Sequence, residues 1–517
     1  MSAKNRVIKN TVFLYAKMGI TVFISLYTTR LILESLGASD FGVFNIIGGA
    51  IVMLGFLNST LANATQRFMS YAEGEGNLLK KKKVFNVSIV LHAGVALATG
   101  IILLIAMYPF FHGVLNIPSE RVFAAKIIYL CTLLSTLLTI VNVPYDAIMN
   151  AHENMLYYSL VGIFESLLKL LVAFACVYTS SDKLILYGIL MALIPFITLS
   201  IMKIYCHRKY EECVFGLHRY WDVSLVKQIT SFFSWNFLTA ISSLASFYGT
   251  SLVLNHFFGT VLNAAQGIAN QVNGQLSNFS LNLMKAVNPI IVKRAGSGDN
   301  EAMNRATLVS GKYSTLLIVF FAIPFILEIH FILRLWLKEV PQWTSLFCAM
   351  QLVITIICQM ANSAATSIYA IGKIKGYAIF KSMMNIAPVF LTFIAYNLGG
   401  APYWLYIFMI LIWSIGGNIV IIYYTNKQCH LKVLDFIRQI VVPVLGISMM
   451  MIVVGSLIQL IMEECFLRLF FTCFITTTVF VILIWMFILR SNERNMILKQ
   501  VKYKLLRIED LEVQFRV

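Results

Sequence analysis

The chain has 517 residues, 59% of them apolar and 12% charged, with a mean hydropathy of +0.80 and a formal net charge of +17. Charged residues are about half as frequent as the roughly 25% of ordinary globular proteins, which excludes a soluble domain. The surplus of positive charge sits in short loops between apolar runs, which argues against nucleic acid as its partner.

A helix needs about 20 mostly apolar residues to cross a bilayer core of roughly 30 Å. In lipid the backbone must satisfy its own hydrogen bonds, so each such run is expected to be helical. Fourteen spans start near Asn10, Phe41, Val84, Ala124, Met155, Leu184, Ser231, Thr260, Tyr313, Ser345, Tyr377, Ala401, Ile440 and Phe470. The first lacks a cleavable pattern and reads as a retained helix, not a signal peptide.

That first span carries Lys17 and Arg30. Ionisable groups inside spans are costly and therefore candidates for function. Lys17 lies about two turns inside, too deep for easy snorkelling, whereas Arg30 lies one turn from the outer end and can snorkel. The two point about 140° apart on an ideal helix, so a straight helix cannot aim both at one lumen. Gly19 offers a place to bend. Leu36-Gly37-Ala38 then leads into the second span, which exits through Glu73-Gly74-Glu75-Gly76-Asn77.

The fourth connection, with Asp146, His152 and Glu153, carries no Lys or Arg and is the weakest point of the topology. In the fifth span Glu165 and Lys169 are spaced i,i+4, where opposite charges meet on one helix face. They read as a structural pair or as a gate or coupling element. The longest loop, Arg208 to Lys227, precedes the seventh span.

Beyond it the glycine punctuation repeats. Gly37, Gly74 and Gly76 recur 222 residues later as Gly259, Gly296 and Gly298. Ala151 and Tyr158 have a weaker echo in Ala370 and Tyr377, 219 residues on. An even number of helices per copy makes the repeats parallel, related by an axis along the membrane normal, an architecture common among transporters.

The expected fold is therefore all-α and polytopic. An N-terminal lobe covers 1–207, a linker 208–230, a C-terminal lobe 231–425, two further helices 426–490 and a tail 491–517. The tail mixes Ile497, Val501 and Leu505 with Lys499, Lys502 and Lys504, and reads as an amphipathic surface helix or a solvated segment.

The eighth span is unusual. Asn263, Gln266, Asn270, Asn273, Ser277 and Ser280 fall at alternating spacings of three and four, a single polar stripe along the helix. In hydrocarbon such a stripe must face protein or water. It reads as a lumen lining for a hydroxyl-rich passenger, with interhelical hydrogen bonding as the alternative. Lys285, Glu328 and His330 read as interfacial, and His92 and His256 as packing residues. The nine cysteines follow no metal or disulfide pattern.

Loops on one side hold 30 Lys and Arg, including five in the second loop (Arg67, Lys80 to Lys83) and three in the tenth; the other side holds five. The positive-inside rule then places both termini in the cytoplasm. No phosphate-cradling Gly-rich loop, ligand cluster or large catalytic loop is present in the sequence, so an enzyme is not expected. No cofactor or metal is expected either.

Thr29-Arg30-Leu31 leading into Leu36-Gly37-Ala38-Ser39-Asp40-Phe41-Gly42 resembles a known group of transporters. Pro144-Tyr145-Asp146, then Ala151-His152-Glu153 and Tyr158, add to the likeness. With two six-helix lobes and two extra helices, the chain resembles the polysaccharide or O-antigen flippases of the multidrug/oligosaccharidyl-lipid/polysaccharide exporter superfamily. The resemblance implies a V-shaped pair of lobes opening alternately to cytoplasm and periplasm of a bacterial inner membrane. Its passenger would be an undecaprenyl-diphosphate-linked oligosaccharide, with Na⁺ or H⁺ as a coupling ion and a glycan polymerase as a neighbour. Arg30 matches an arginine that is a substrate-contact candidate in the related lipid II flippases. Lys17, Asn263, Gln266, Asn270 and Asn273 complete the candidate substrate site. The alternatives are a lipid II flippase, a cation-coupled multidrug exporter with Glu165 as its mid-span acid in the first lobe, and a membrane polysaccharide polymerase.

Overall fold

The computed structural model describes residues 3–52, 55–114, 119–179, 182–337, 339–489 and 494. The proposed tail helix, 491–517, lies outside the described residues apart from Arg494.

Long apolar helices account for the whole architecture, as the lipid constraint requires. The first run, Ala3–Val52, is broken at Gly37 (φ 76°, ψ 166°), which divides it into α1 (3–36) and α2 (38–52, continued by Gly55–Gly74). Then come α3 (Leu78–His112), α4 (Ser119–Ala151), α5 (Met155–Tyr178) and α6 (Lys183–Lys209). The next run, Val223–Gly296, is broken at Gly259 (φ 77°, ψ −169°) into α7 (223–258) and α8 (260–296). It is followed by α9 (Asn300–Leu327), α10 (Thr344–Ile371), α11 (Lys375–Asn397), α12 (Trp404–Cys429), α13 (Val433–Ile461) and α14 (Phe466–Ile488). Among the described residues these fourteen long helices, with the short helices Leu217–Tyr220 and Ile329–Trp336 between them, form a polytopic membrane fold of two parallel lobes with two C-terminal helices.

The repeated glycines play the same part in both copies. Gly37 and Gly259 take positive φ where the chain reverses, a conformation that costs an L side chain but not glycine. Gly76 and Gly298 take φ of 69° and 74°, each just before a side chain that caps the next helix. Asn77 accepts the amide of Lys80 and Asp299 that of Ala302.

Gly74 and Gly296 have a different reason. A methyl at Gly74 would collide with the backbone of Lys293, and one at Gly296 with the backbone of Tyr71. Residues 71 and 293 are themselves 222 apart, as are 74 and 296. The contact is therefore reciprocal, as a pseudo-two-fold axis between α2 and α8 demands. The absence of side chains there lets two helices meet backbone to backbone.

The last two helices are fastened to the second lobe. Arg468 of α14 pairs with Glu328 at the end of α9, Nη2 and Nε at 2.8 and 3.1 Å from one carboxylate oxygen. Thr472 donates to the other oxygen at 2.8 Å. Arg334 and Glu464 add a second pair beside it. Glu328, expected at the interface, is 1% exposed because α14 lies over it and supplies its counter-charge.

Removing one partner of a buried ion pair typically costs about 3–5 kcal/mol, because the other charge is stranded. Arg468→Met and Glu328→Gln should therefore each lower the thermal midpoint of the detergent-solubilised protein. The double variant should recover much of the loss. A double variant that is simply additive would show that the pair is not coupled.

Candidate functional site

The lobes meet near one end, the end that carries the N-terminus and most of the basic loops. Tyr15 of α1 donates to the Phe279 carbonyl of α8 at 2.6 Å. Nearer the end, Lys285 Nζ donates to the Tyr158 hydroxyl of α5 at 2.5 Å, and Lys293 pairs with Glu153 at 2.8 Å. Asn236 of α7 donates to the Thr60 carbonyl of α2 at 3.3 Å. Each of these contacts falls in the half of its helix nearer the basic end, so the lobes are closed together there.

Arg67 adds a long-range tie. Its guanidinium donates to the carbonyls of Tyr369 and Ala370 at 2.9 Å, at the C-terminal end of α10, and lies 5.3 Å from the centroid of the Phe232 ring. A helix C-terminus carries partial negative charge from unpaired carbonyls, so a cation there is favourable. Charge counting assigned Arg67 to a loop. Because α2 continues to Gly74, Arg67 sits about two turns inside the helix and reaches across the seam.

Two cavities of unlike chemistry flank this seam. The first, about 510 Å³, lies within the second lobe and is walled by amides and hydroxyls of α8 and α10. Gln266, Asn270, Asn273 and Ser277 of the predicted stripe face it, joined by Gln351, Thr355, Gln359 and Asn362, which the sequence did not single out. Asn263 is not on its wall, and Ser280 is buried elsewhere. Thr355 and Asn273 join the two helices by a 2.5 Å hydrogen bond, so the stripe both lines the cavity and packs.

Lys381 and Trp413 close the far side of that cavity. Lys381 counted with the tenth loop by charge, but α11 starts at Lys375, and the ammonium therefore rides on the helix roughly 9 Å from its start. Trp413 lies in a π-wound stretch of α12, Met409–Gly416, a distortion often found at functional sites. Asn362 and Tyr369 line both this cavity and a 250 Å³ one in the seam beside Arg67, which links the two.

The second cavity, about 160 Å³, lies in the first lobe and is walled by Lys17, Asn142, Asp146, Tyr158 and Glu165 among others. Lys17 Nζ lies 4.3 Å from the centroid of the Tyr158 ring and packs on Gly162, where a methyl would collide with it. Lys285 approaches the same ring from the other lobe, at 3.9 Å. Asp146 was expected in a connecting loop. It lies inside α4 because the helix runs through Pro144 to Ala151, leaving only His152–Asn154 as the turn. Its charged neighbours are Lys285, Lys17 and Glu165.

The remaining predicted residues are placed apart. Glu165 and Lys169 form their pair at 2.7 Å, with Lys169 turned toward a separate 430 Å³ cavity between α1, α5 and α6. Arg30 pairs with Glu34 on its own helix at 2.9 Å and is exposed. The backbone stays helical through Gly19, and Arg30 is not on the wall of the cavity that holds Lys17. Tyr158 and Tyr377, matched by the weaker echo, face the cavities of their respective lobes.

At the basic end, Glu73, His152 and Glu212 gather their ligand atoms within 4.8 Å of one another, from three separate segments. Lys81 is already seated on Glu73 at 2.8 Å. Burial pushes the Glu212 carboxyl up, but the 2.5 Å hydrogen bond to His152 and the charges of His152 and Lys81 outweigh it, leaving it below its ordinary range.

The bilobed helical fold is one shared with known membrane transporters of the MATE and MOP groups. A multidrug resistance MATE family transporter of the MOP superfamily, in an outward-facing conformation, superposes with a TM-score of 0.69 at 13% identity, over 84% of this chain and 97% of that one. MATE in a bent conformation gives 0.70 at 14% identity, over 84% and 97%. A MOP superfamily transporter from Pyrococcus furiosus, described as having a binding pocket of reverse polarity, gives 0.66 at 15% identity, over 83% and 97%. No protein family model matches the chain, and no curated protein matches it in sequence.

Gly74→Ala and Gly296→Ala should each force α2 and α8 apart, at an overpacking cost of about 1–3 kcal/mol. Hydrogen exchange over 66–74 and 288–296 should accelerate in both variants relative to Gly42→Ala, a position with open space around it. Unchanged exchange would mean that the crossing does not hold the lobes together.

Proposed function

We propose that the chain is a membrane transporter that flips an undecaprenyl-diphosphate-linked oligosaccharide by alternating access. The observation that carries this reading is the pairing of an amide-lined cavity in one lobe with a charged one in the other, where Lys17 and, from across the seam, Lys285 converge on Tyr158. Amides suit sugar hydroxyls, cations suit a diphosphate, and the passenger joins both chemistries in one molecule. Lys17 and Lys285 are the proposed diphosphate contacts, and Gln266, Asn270 and Asn273 the proposed sugar contacts. Arg30 is proposed to meet substrate near the opposite, open end. In this reading the basic end faces the cytoplasm, by the positive-inside rule, and the lobes are closed on that side. The proposed lobes are 1–207 and 231–425, joined by 208–230, with 426–490 as the appended pair.

One observation favours a second reading. Asp146 and Glu165 place two acids in the first-lobe cavity, where a cation-coupled multidrug exporter would hold its coupling ion. The fold likeness to a multidrug MATE transporter supports the same class.

Deletion of the gene separates the two. A flippase leaves surface glycan unpolymerised and its lipid-linked precursor on the cytoplasmic leaflet. Normal glycan with heightened drug sensitivity would replace the flippase by the exporter. Within the flippase reading, Arg30→Lys should keep part of the transport and Arg30→Ala little. Full transport by the alanine variant would mean that Arg30 serves only its pair with Glu34.

A further inference from the structure

Lys381 stands in the second-lobe cavity without a counter-charge among the described residues. Its Nζ donates to the Trp413 carbonyl at 3.3 Å and lies 5.7 Å from the centroid of the Trp413 ring. It rests on Gly417, where a methyl would run into the ammonium. Among the described residues lining the cavity there is no Asp or Glu, and Lys381 forms no ion pair. Lys293 and Arg468, by contrast, each have a carboxylate at 2.8 Å.

A cation inside a membrane protein is costly unless water or an opposite charge attends it. Here the surrounding groups offer neutral polarity and leave the place of the anion open. Asn270 and Gln351 make no side-chain hydrogen bond among the described residues, although Gln351 is only 8% exposed. Buried polar groups are normally paired. Both amides therefore present donors and acceptors to the cavity and not to neighbouring helices. Trp413 and Tyr377 supply flat apolar surface beside them.

We propose that this cavity receives an acidic sugar of the carried oligosaccharide, with its carboxylate on Lys381 and its hydroxyls on Asn270 and Gln351. The proposal rests on the flippase reading and narrows it to a repeat unit that contains a uronic or similar acid. A lysine ammonium is a compact point charge, suited to a single carboxylate. A neutral sugar would fill the amide sites and leave the ammonium unmatched. The diphosphate has other cations to meet: Lys17 and Lys285, which bracket Tyr158 at the seam.

The test uses the purified full-length chain in nanodiscs and two synthetic undecaprenyl-diphosphate oligosaccharides. One contains glucuronic acid, and the other glucose at the same position. Wild type should bind the acidic form at least tenfold more tightly by titration calorimetry. Lys381→Gln should bind both forms with the wild-type affinity for the neutral one, and Lys381→Arg should keep most of the preference. Equal binding of the two by wild type would overturn the proposal, and that comparison needs no variant to fold. An equal loss for both forms in Lys381→Gln would overturn it too, assigning the lysine to the diphosphate. If wild type binds neither form, the flippase reading itself fails.

Discussion

The backbone crossing of α2 and α8 is the constraint on which the rest of the arrangement depends. Two helices can approach this closely only where neither presents a side chain, and Gly74 and Gly296 provide that on opposite sides of one pseudo-axis. Once the crossing is made, Lys293 is brought to Glu153, Lys285 to Tyr158, and Arg67 to the end of α10. Each of these contacts joins parts of the chain more than a hundred residues apart. The seam is thus closed around a glycine crossing by these polar contacts together with apolar packing such as Phe68 on Phe232.

The two lobes share a scaffold but differ in what they enclose. The first gathers Lys17, Asp146 and Glu165 around Tyr158, so its cavity is charged, with Lys285 approaching the same ring from the other lobe. The second gathers asparagine, glutamine and threonine, with Lys381 as the one cation among its described lining residues. The lobes share the hinges, the caps and the tyrosines Tyr158 and Tyr377, while their linings differ.

Charged residues near helix ends were the hardest part of the sequence to read. Arg67, Asp146 and Lys381 each lie within two turns of a loop, and hydropathy assigns such residues to the interface. Their helices simply extend further, as α2 does to Gly74 and α4 to Ala151. The distance from a helix end to a cavity depends on neighbouring helices, which periodicity within one segment does not encode. The polar stripe of α8 was easier, because a row of amides in hydrocarbon has few places to face. Even so, Asn263 fell off the cavity wall, since a stripe follows the helix while a cavity has an end.

By itself the sequence determined an all-helical membrane chain of fourteen spans, its two parallel lobes, and the glycines at which it turns. These follow from lipid, which offers no hydrogen bonds, and from glycine, which takes a positive φ without steric cost. Only the tertiary structure decided which ionisable groups meet across helices. It paired Arg468 with Glu328, set Lys17 and Asp146 on the wall of one cavity, and left Lys381 facing open amides. Those outcomes depend on helices from distant parts of the chain packing side by side, and the residues of one helix carry no record of its neighbours.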